Sequence, residues 1–362
     1  MPFYRMAAAL QALVRSSGPE PERRLQWPVV SIGNLSTGGM GKTPLTVTLA
    51  RELTARGFLV DVLSRGYGRQ DRAPAKVRPD GTAAQFGDEP LLIAQEAEVL
   101  VYVAPERFEA GKLAESEAED ALRSFATEQG AQANPAGHAL QLRDFDLGEP
   151  SRDVLDPLSD PLLPVHLLDD GFQHRQLART VNILLLNQDD WDDRLLPAGN
   201  LREPRDAARR ADVIAVPANE PELEVALHLW GWDGPLWRLH RKMAVPRLEG
   251  TVAAFCGIAR PAQFFAGLEA EGLQLALRLA FADHCPFTPA LVNEMLAQGK
   301  EAQVAAFVTT RKDFIRLGRL ASLFPESMPL TTASLTVEIE DQAAAMDWLE
   351  ARLRASVSLP PL

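Results

Sequence analysis

The fold is decided by the stretch Ser31-Ile32-Gly33-Asn34-Leu35-Ser36-Thr37-Gly38-Gly39-Met40-Gly41-Lys42-Thr43. A short β-branched run precedes it, and Leu45, Leu49 and Leu53 follow it at helical spacing. The order of strand, glycine-rich loop and helix is that of a phosphate-binding P-loop. Glycines let backbone N–H groups turn towards an anion, and the dipole of the following helix favours its negative charge. We therefore predict a nucleotide-phosphate site at this loop.

The side chains of the loop have separate predicted roles. Lys42 is expected to reach the β- and γ-phosphates, and the Thr43 hydroxyl to bind Mg²⁺. Ser36 stands where the usual motif has its first glycine, five residues before Gly41. The alternative, a glycine-rich turn that binds nothing, is disfavoured because motif and context agree. The predicted ATP-binding residues of the loop are Ser36, Thr37, Gly38, Gly39, Met40, Gly41, Lys42 and Thr43.

Composition and charge limit the classes of function. The chain has 362 residues, enough for two domains, with 46% hydrophobic and 24% charged residues. Its net charge of −12 argues against nucleic-acid binding, so an anionic substrate must be met by local basic clusters. Cys256 and Cys285 are the only cysteines, which is typical of a reducing cytoplasm. We expect neither a bilayer-spanning helix nor a secretory signal.

The start of the chain has a pattern of its own. Residues 3–15 predict an amphipathic helix with Arg5 and Arg15 beside its apolar face. Such a helix can lie in a membrane interface, and the alternative is a helix docked on the protein surface. We assign residues 1–26 to an N-terminal amphipathic segment.

Strand and helix patterns alternate along most of the remaining chain, which predicts an α/β fold with a mostly parallel sheet covered by helices. One apolar strand ends in Asp169 and Asp170, the pattern of the acidic Mg²⁺ motif that accompanies a P-loop. No period persists over residues 127–164, which indicates an insertion. We predict a P-loop NTPase core over 27–216, a hinge or linker over 217–246, and a smaller C-terminal α/β domain over 247–362.

Three further positions are ambiguous when taken alone. The loop of residues 64–69 combines two arginines with Tyr67, which a plain turn does not explain. Asp88 opens a helix, and composition alone favours a helix N-cap there. His284 by itself indicates no more than a surface or half-buried histidine.

Eight segments together resemble one family, the tetraacyldisaccharide 4′-kinases or lipid A 4′-kinases. They are SIGNLSTGGMGKTP, SRGYGR, GDEP, LLDDGFQHRQL, LPAGNLREP, FCGIARP, FADHCPF and VTTRKD, in the order of the family, over residues 29–313. Many families share a P-loop, whereas GDEP, DDGFQHR and LREP together are specific. The resemblance implies transfer of the γ-phosphoryl group of ATP to the 4′-hydroxyl of a tetraacylated glucosamine disaccharide 1-phosphate. It also implies a place in lipid A synthesis, at the cytoplasmic face of the inner membrane.

The resemblance implies roles for individual residues. Asp88 matches the catalytic base and His284 its partner, and Lys42 completes the predicted catalytic set. Asp169 and Asp170 match the acidic motif and, with Thr43, are the predicted metal ligands. Predicted nucleotide contacts are Gln173, Arg202 and Glu203, and predicted substrate contacts are Arg65, Tyr67, Glu89, Arg107 and His174.

The chain departs from the family in several places. Its first segment is short and amphipathic instead of longer and hydrophobic, and its insertion is longer. Asn200 stands where the family often has proline, and Asn187 where aspartate is common. None of these positions is a predicted catalytic residue.

Two other functions stay open from the residues alone: a P-loop ATPase switch that acts on a protein partner, and a kinase of another hydrophobic sugar. A GTPase is disfavoured because Asn187-Gln188-Asp189 lacks the lysine of a base-recognition motif. We expect ATP and Mg²⁺ as cofactors, a lipid-linked sugar as substrate, peripheral membrane contact and a monomer.

Overall fold

The computed structural model describes residues 22–39, 41–128 and 163–357. Met40, most of the predicted N-terminal segment 1–26 and most of the predicted insertion 127–164 lie outside these ranges. The described residues form one twelve-stranded, mostly parallel sheet with helices on both faces. The predicted α/β class is confirmed.

The strands and helices follow one another in the alternation that the sequence predicts. The strands are β1 (Val29–Asn34), β2 (Phe58–Ser64), β3 (Ala75–Lys76), β4 (Leu100–Val103), β5 (Leu163–Asp169), β6 (Val181–Leu185), β7 (Val213–Pro217), β8 (Leu236–Ala244), β9 (Thr251–Cys256), β10 (Gln274–Ala280), β11 (Ala306–Thr310) and β12 (Leu330–Ile339). The helices are α1 (Lys42–Ala55), α2 (Ala83–Phe86), α3 (Asp88–Ala97), α4 (Arg107–Glu128), α5 (Gln188–Asp192), α6 (Pro221–Leu229), α7 (Pro261–Ala270), α8 (Pro289–Glu301), α9 (Arg311–Leu317) and α10 (Gln342–Val357).

We call strands β1 to β8 the first half of the sheet and strands β9 to β12 the second half. The strand order places β1, which leads into the P-loop, in the middle of the first half. The order is β10-β9-β11-β12-β8-β7-β6-β1-β5-β2-β4-β3, and only β3–β4 and β8–β12 of the described pairs are antiparallel. Every residue of β1 is buried, as expected for a strand covered on both faces. Because β1, β2, β5 and β6 run parallel, the loops at their carboxyl ends meet at one edge of the sheet.

The two halves of the sheet meet at β8 and β12. Residues 236–239 of β8 pair with β7, and residues 239–244 pair antiparallel with residues 334–339 of β12. The first residues of β12 pair instead with β11 of the second half. The segment predicted as a hinge or linker, 217–246, therefore contains α6 and a sheet strand; the domain limits themselves stay a prediction.

The C-terminal helix α10 returns to the first half. Met346, Leu349 and Leu353 are buried in the same apolar core as α1. Arg56, just after α1, forms ion pairs with Asp347 and Glu350 of α10. Within the three described ranges, no helix has the length and apolar character to cross a bilayer.

Candidate active site

A cavity of about 1910 Å³ opens where the P-loop, the ends of β2 and β5, and the second half of the sheet meet. It exceeds the roughly 300–1,000 Å³ of a pocket for one drug-sized ligand, so it has room for two substrates. The predicted site residues that line it are Thr37, Gly38, Gly39, Gly41, Lys42, Thr43, Arg65, Tyr67, Glu89, Arg107, Asp169, Asp170, Gln173, His174, Arg202, Glu203 and His284. Of the predicted site residues that the structure describes, Ser36 and Asp88 do not line the cavity, and both are buried.

The cavity is more basic than the chain as a whole. Ten lysine and arginine side chains line it against eight aspartates and glutamates, whereas the chain has 37 and 49 of these types. A cavity of this sign attracts anions even in an acidic protein. This agrees with the expectation that local basic clusters meet an anionic substrate.

The P-loop lysine is held by oxygen atoms around it. Gly41 adopts φ 87° just before α1, a left-handed conformation that favours glycine. Lys42 Nζ donates to Asn34 Oδ1 at 3.0 Å and to the Gly38 carbonyl at 3.4 Å, and it lies 3.3 Å from Asp170 Oδ1. The ammonium is therefore fixed at the mouth of the loop, where an incoming phosphate would meet it.

The two aspartates at the end of β5 have different surroundings. Asp170 contacts Lys42 and Arg202; burial alone would raise its pKa, but these two cations outweigh burial and lower it. Asp169 is 2% exposed. Burial, followed by the charges of Glu89 and Asp170, raises the pKa of Asp169 to about 7. Asp170 is thus already neutralised by protein cations, and Asp169 is not.

The nucleotide-side residues predicted from sequence are tied directly to the P-loop. Gln173 Nε2 donates to the Asn34 carbonyl at 2.7 Å, and Arg202 Nη1 donates to Gln173 Oε1 at 3.1 Å. The backbone N–H of Arg202 donates to the Leu35 carbonyl at 2.7 Å. Glu203 also lines the cavity and pairs there with Arg210 at 2.8 Å.

Asp88 and His284, which come from the two halves of the molecule, are in contact. His284 Nδ1 and Arg316 Nε each lie 3.2 Å from Asp88 Oδ2, and Asp88 Oδ1 accepts from the backbone N–H of Glu89. Burial would raise the pKa of Asp88, but the contact with His284 and the charges of Lys312 and Arg316 lower it to about 2. The contact with Asp88 in turn raises the pKa of His284.

Backbone geometry brings the predicted substrate-side loop against the Asp88 helix. Gly87 has φ 91°, and a Cβ added there would lie 3.1 Å from Gly66 Cα and from the Tyr67 carbonyl oxygen. The close approach therefore needs a glycine. Tyr67 is 47% exposed, and the centre of its ring lies 5.0 Å from that of His284. His284 itself has a left-handed φ of 57°.

The sequence analysis assigned no role to several charged residues near the site. Lys312 contacts Glu89 Oε1, and Arg311 contacts Glu96, so that α9 joins α3 by ion pairs. Arg241 lies beside Gly41, with its guanidinium 3.5 Å from the place of a Cβ there. The motif VTTRKD contains Lys312 but does not indicate that its partner is Glu89. No motif marked Arg241 or Arg316, because their positions depend on long-range packing.

Comparisons with known proteins agree with this geometry. The family model described as tetraacyldisaccharide-1-P 4′-kinase (LpxK) matches residues 2–354. A tetraacyldisaccharide 4′-kinase of Koribacter versatilis is 36% identical over 337 residues, 90% of this chain and 89% of that protein. One of Anaeromyxobacter dehalogenans is 36% identical over 344 residues, 87% of this chain and 78% of that protein.

A solved structure is similar along nearly the whole length of the chain. It is the crystal structure of the "apo" form of LpxK from Aquifex aeolicus in complex with ATP, at 28% identity and a TM-score of 0.62. The match covers 97% of this chain and 96% of that one. The resemblance seen in the eight sequence segments is confirmed: this chain belongs to the tetraacyldisaccharide-1-P 4′-kinase family.

Proposed function

We propose that this protein is a tetraacyldisaccharide 4′-kinase of lipid A biosynthesis. It transfers the γ-phosphoryl group of ATP to the 4′-hydroxyl of a tetraacylated glucosamine disaccharide 1-phosphate. One observation carries the proposal: a single cavity is lined by the P-loop lysine on one side and by His284, the contact of Asp88, on the other. Phosphoryl transfer needs this combination of phosphate site and positioned acceptor group.

ATP binds with its phosphates on the P-loop in this proposal. Lys42 contacts the β- and γ-phosphates, and Arg202, which contacts the same Asp170 carboxylate as Lys42, lies beside it. Both cations stabilise negative charge that develops on the transferred group. Gln173 and Arg202 are hydrogen-bonded to each other and to P-loop backbone, which fixes their distance from the nucleotide.

The residues at the end of β5 fit a magnesium ion. The donors there are oxygens, from the Asp169 carboxylate and the Thr43 hydroxyl, which are the ligands that Mg²⁺ prefers. Burial, and after it the neighbouring carboxylates Glu89 and Asp170, raise the pKa of Asp169, so a cation would stabilise its charged form. Mg²⁺ usually keeps several waters and binds through one or two carboxylates together with substrate phosphates, which a site with this few protein donors suits. When bound, Mg²⁺ would neutralise phosphate charge at this edge.

Asp88 orients the acceptor hydroxyl in the proposed reaction and takes its proton. A carboxyl group with a pKa of about 2 is ionised at neutral pH but is a weak base. A loose transition state tolerates a weak base, because little negative charge has to form on the attacking oxygen beforehand. Asp88 is only 4% exposed, so its carboxylate must turn past His284 to meet a bound sugar. His284 already lines the cavity, and its contact with Asp88 holds the carboxylate that takes the proton.

The acceptor lies on the α3 side of the cavity in this proposal, beside Arg65, Tyr67, Glu89, Arg107 and His174. Arg107 is 7% exposed and is the first residue of α4, where its charge faces the Asp170 region. The exposed ring of Tyr67 offers an apolar surface against which a sugar face can pack. These five residues supply both charged and apolar contacts for a phosphorylated glycolipid.

The enzyme is proposed to act as a monomer at the cytoplasmic face of the inner membrane. Residues 3–15, with their apolar face and flanking arginines, are proposed to bind the membrane surface. Co-sedimentation with anionic liposomes should be lost in a chain that starts at Gln26; equal binding by both chains would contradict this role.

Acceptor dependence tests the proposed function. The protein is incubated with ATP, Mg²⁺ and candidate disaccharide 1-phosphates, and products are identified by mass spectrometry. We expect a mass increase of one phosphate at the 4′ position of the tetraacylated disaccharide. ATP turnover that needs a protein partner and no lipid would favour the ATPase switch, and phosphorylation of a different glycolipid alone would favour another sugar kinase.

A further inference from the structure

A directional chain of hydrogen bonds runs from the second half of the molecule to the P-loop lysine. Arg260 Nη2 donates to Asp190 Oδ1 at 3.1 Å, and the Ser36 hydroxyl donates to Asp190 Oδ2 at 2.7 Å. Asn34 Nδ2 donates to Ser36 Oγ at 3.0 Å, and Lys42 Nζ donates to Asn34 Oδ1 at 3.0 Å. Asp190 thus receives hydrogen bonds from both sides.

The direction of every bond is fixed by the chemistry of the two end groups. An ammonium only donates, so Asn34 must turn its oxygen towards Lys42 and its amide nitrogen towards Ser36. Ser36 then accepts from Asn34 and has one hydrogen left, which goes to Asp190. An ionised carboxylate only accepts, so it can end the chain. Replacing one member therefore disturbs the orientation of the others.

The chain is buried and rests on a defined local structure. Asn34 and Ser36 are fully buried, and Asp190 is 2% exposed. Asn187 caps α5 by accepting from the backbone N–H of Asp190 at 2.8 Å, which fixes the start of the side chain. Hydrogen bonds in such an environment polarise one another and are costly to leave unmade. Ser36 takes the place of the usual first glycine of the P-loop, and its hydroxyl provides this extra link.

Arg260 brings the other half of the molecule into the network. It precedes α7, directly after Ala259, whose Cβ lies 3.8 Å from the place of a Cβ on Gly38. Its guanidinium also lies 3.7 Å from Asp189, which is 80% exposed and adds a weak, solvent-screened contact. The firm contact is the one with buried Asp190.

We infer that Asp190 is a positioning residue for phosphoryl transfer, which sets the place of the Lys42 ammonium through Ser36 and Asn34 and depends on Arg260 from the other half of the molecule. The inference rests on the proposed kinase function. It predicts that loss of Asp190 lowers the rate of transfer more than the affinity for substrates, because a misplaced ammonium matters most in the transition state.

The test measures kcat, KM for ATP and for the lipid acceptor, and Tm for a set of variants of the full chain. Asp190→Ala and Ser36→Ala are each expected to lower kcat by roughly 10- to 100-fold, the cost of a small misplacement of a catalytic group. Ser36→Thr keeps the hydroxyl and should retain activity, whereas Ser36→Gly, which restores the usual motif residue, should not. Asp192→Asn removes an exposed charge from the same helix, α5, outside the network and is the matched control.

The contribution of Arg260 is measured by a double-mutant cycle. Arg260→Met is expected to lower kcat, and Arg260→Lys to restore part of it. The variant with both Asp190→Ala and Arg260→Met should be no slower than Asp190→Ala, because both changes break the same network. Asp190→Asn keeps the shape of the side chain and serves if the alanine variant does not fold.

Three results would overturn the inference. The first is a kcat within twofold of wild type for folded Asp190→Asn and Ser36→Ala. The second is a loss of activity that only follows the loss of folded protein. The third is an equal loss in Ser36→Thr and Ser36→Ala. Failure of the proposed function is a separate outcome, because the wild-type protein would then not phosphorylate the lipid acceptor at all.

Discussion

Arg316 Nε lies 3.2 Å from Asp88 Oδ2, although the two residues are more than 200 positions apart in the chain. The side chains are 8% and 4% exposed. The same guanidinium lies 2.9 Å from Asp313 and donates to the Gly257 carbonyl at 2.7 Å. The carboxylate of the proposed base therefore contacts two basic side chains, Arg316 of α9 and His284 of the loop after β10.

Removing the charge of Arg316 should shift the acid limb of the pH–rate profile. Burial is the largest influence on the pKa of Asp88 and acts to raise it, and Arg316, His284 and Lys312 oppose it. Without Arg316 the pKa rises, so the base becomes protonated at a higher pH. We expect the acid limb of kcat for Arg316→Gln to lie at higher pH than that of wild type, and Arg316→Lys to restore it.

The comparison has to be made between variants, because other groups near Asp88 also titrate. Burial and nearby carboxylates raise the pKa of Asp169 to about 7, and burial raises the pKa of Asp313, which lies against Arg316. These groups contribute to every profile. An acid limb at the same pH in Arg316→Gln and wild type would contradict the proposed role, provided that both proteins are folded.

Lys42→Ala should nearly abolish turnover while leaving the fold intact. Its ammonium contacts Asn34, Gly38 and Asp170 and is the one that the P-loop aims at the transferred phosphoryl group. Single-turnover kinetics give the rate, and circular dichroism gives the folded fraction. Lys300→Ala, an exposed lysine at the end of α8, is the control and should behave as wild type. Near-normal kcat in a folded Lys42→Ala protein would reject the P-loop assignment.

A buried charge cluster away from the cavity should make the free energy of unfolding fall as the pH becomes alkaline. His166 of β5 is fully buried, with Nδ1 2.7 Å from Asp61 and Nε2 3.7 Å from Glu115. The ring of Trp27 stacks on it at 4.8 Å between centres. Burial would lower the pKa of His166, but the two carboxylates raise it to about 9. The imidazolium holds together strands β2 and β5 and helix α4.

The sign of the effect follows from the two pKa values of His166. The value of about 9 in the folded protein exceeds the value of about 6.5 in the unfolded chain. The stabilisation is therefore complete below about pH 6.5 and is lost as the pH rises through about 9. Urea unfolding at pH 6, 7.5 and 9 should show this decline.

The variant His166→Gln tests the source of that decline. It leaves buried Asp61 without its cationic partner and Glu115 with Lys112 alone, and should cost about 3–5 kcal/mol of unfolding free energy at pH 6. It should also lose the alkaline dependence. The control is His228→Gln, which replaces an exposed histidine on α6. It should keep the wild-type free energy of unfolding and its decline at alkaline pH. A pH dependence that is the same in His166→Gln and wild type would contradict this assignment.

The sequence predicted what depends on local pattern. The P-loop, the acidic end of β5 and the alternating elements follow from short-range order and from residue types that few positions tolerate. Ser36 was assigned to the nucleotide site, yet its hydroxyl turns away from the cavity to Asp190. Glu203 was assigned likewise, and it pairs with Arg210. The direction of a side chain in these loops depends on its neighbours in space, which a sequence pattern does not identify.

The remaining features depend on contacts between distant parts of the chain. His166 stands in an apolar strand with no polar neighbour in sequence, so its partners on β2 and α4 gave no local signal. Arg316 lies one turn after Asp313 and has the pattern of an ordinary exposed helix residue. The antiparallel pairing of β8 with β12 was also not predicted, because hydrophobic periodicity does not show which strands pair when they are about 100 residues apart.

The last prediction concerns Asp88 and His284 as a unit. Removal of a general base typically costs about 10²–10⁴ in rate, and His284 contacts only one of the two oxygens of Asp88. If the pair acts as one base, the losses of Asp88→Ala and His284→Ala should be strongly non-additive, as for other residues that act together. The double variant should be little slower than the poorer single variant in kcat. Independent multiplication of the two losses, with all proteins folded, would leave Asp88 as a helix-start residue and His284 as a structural contact between the two halves of the sheet.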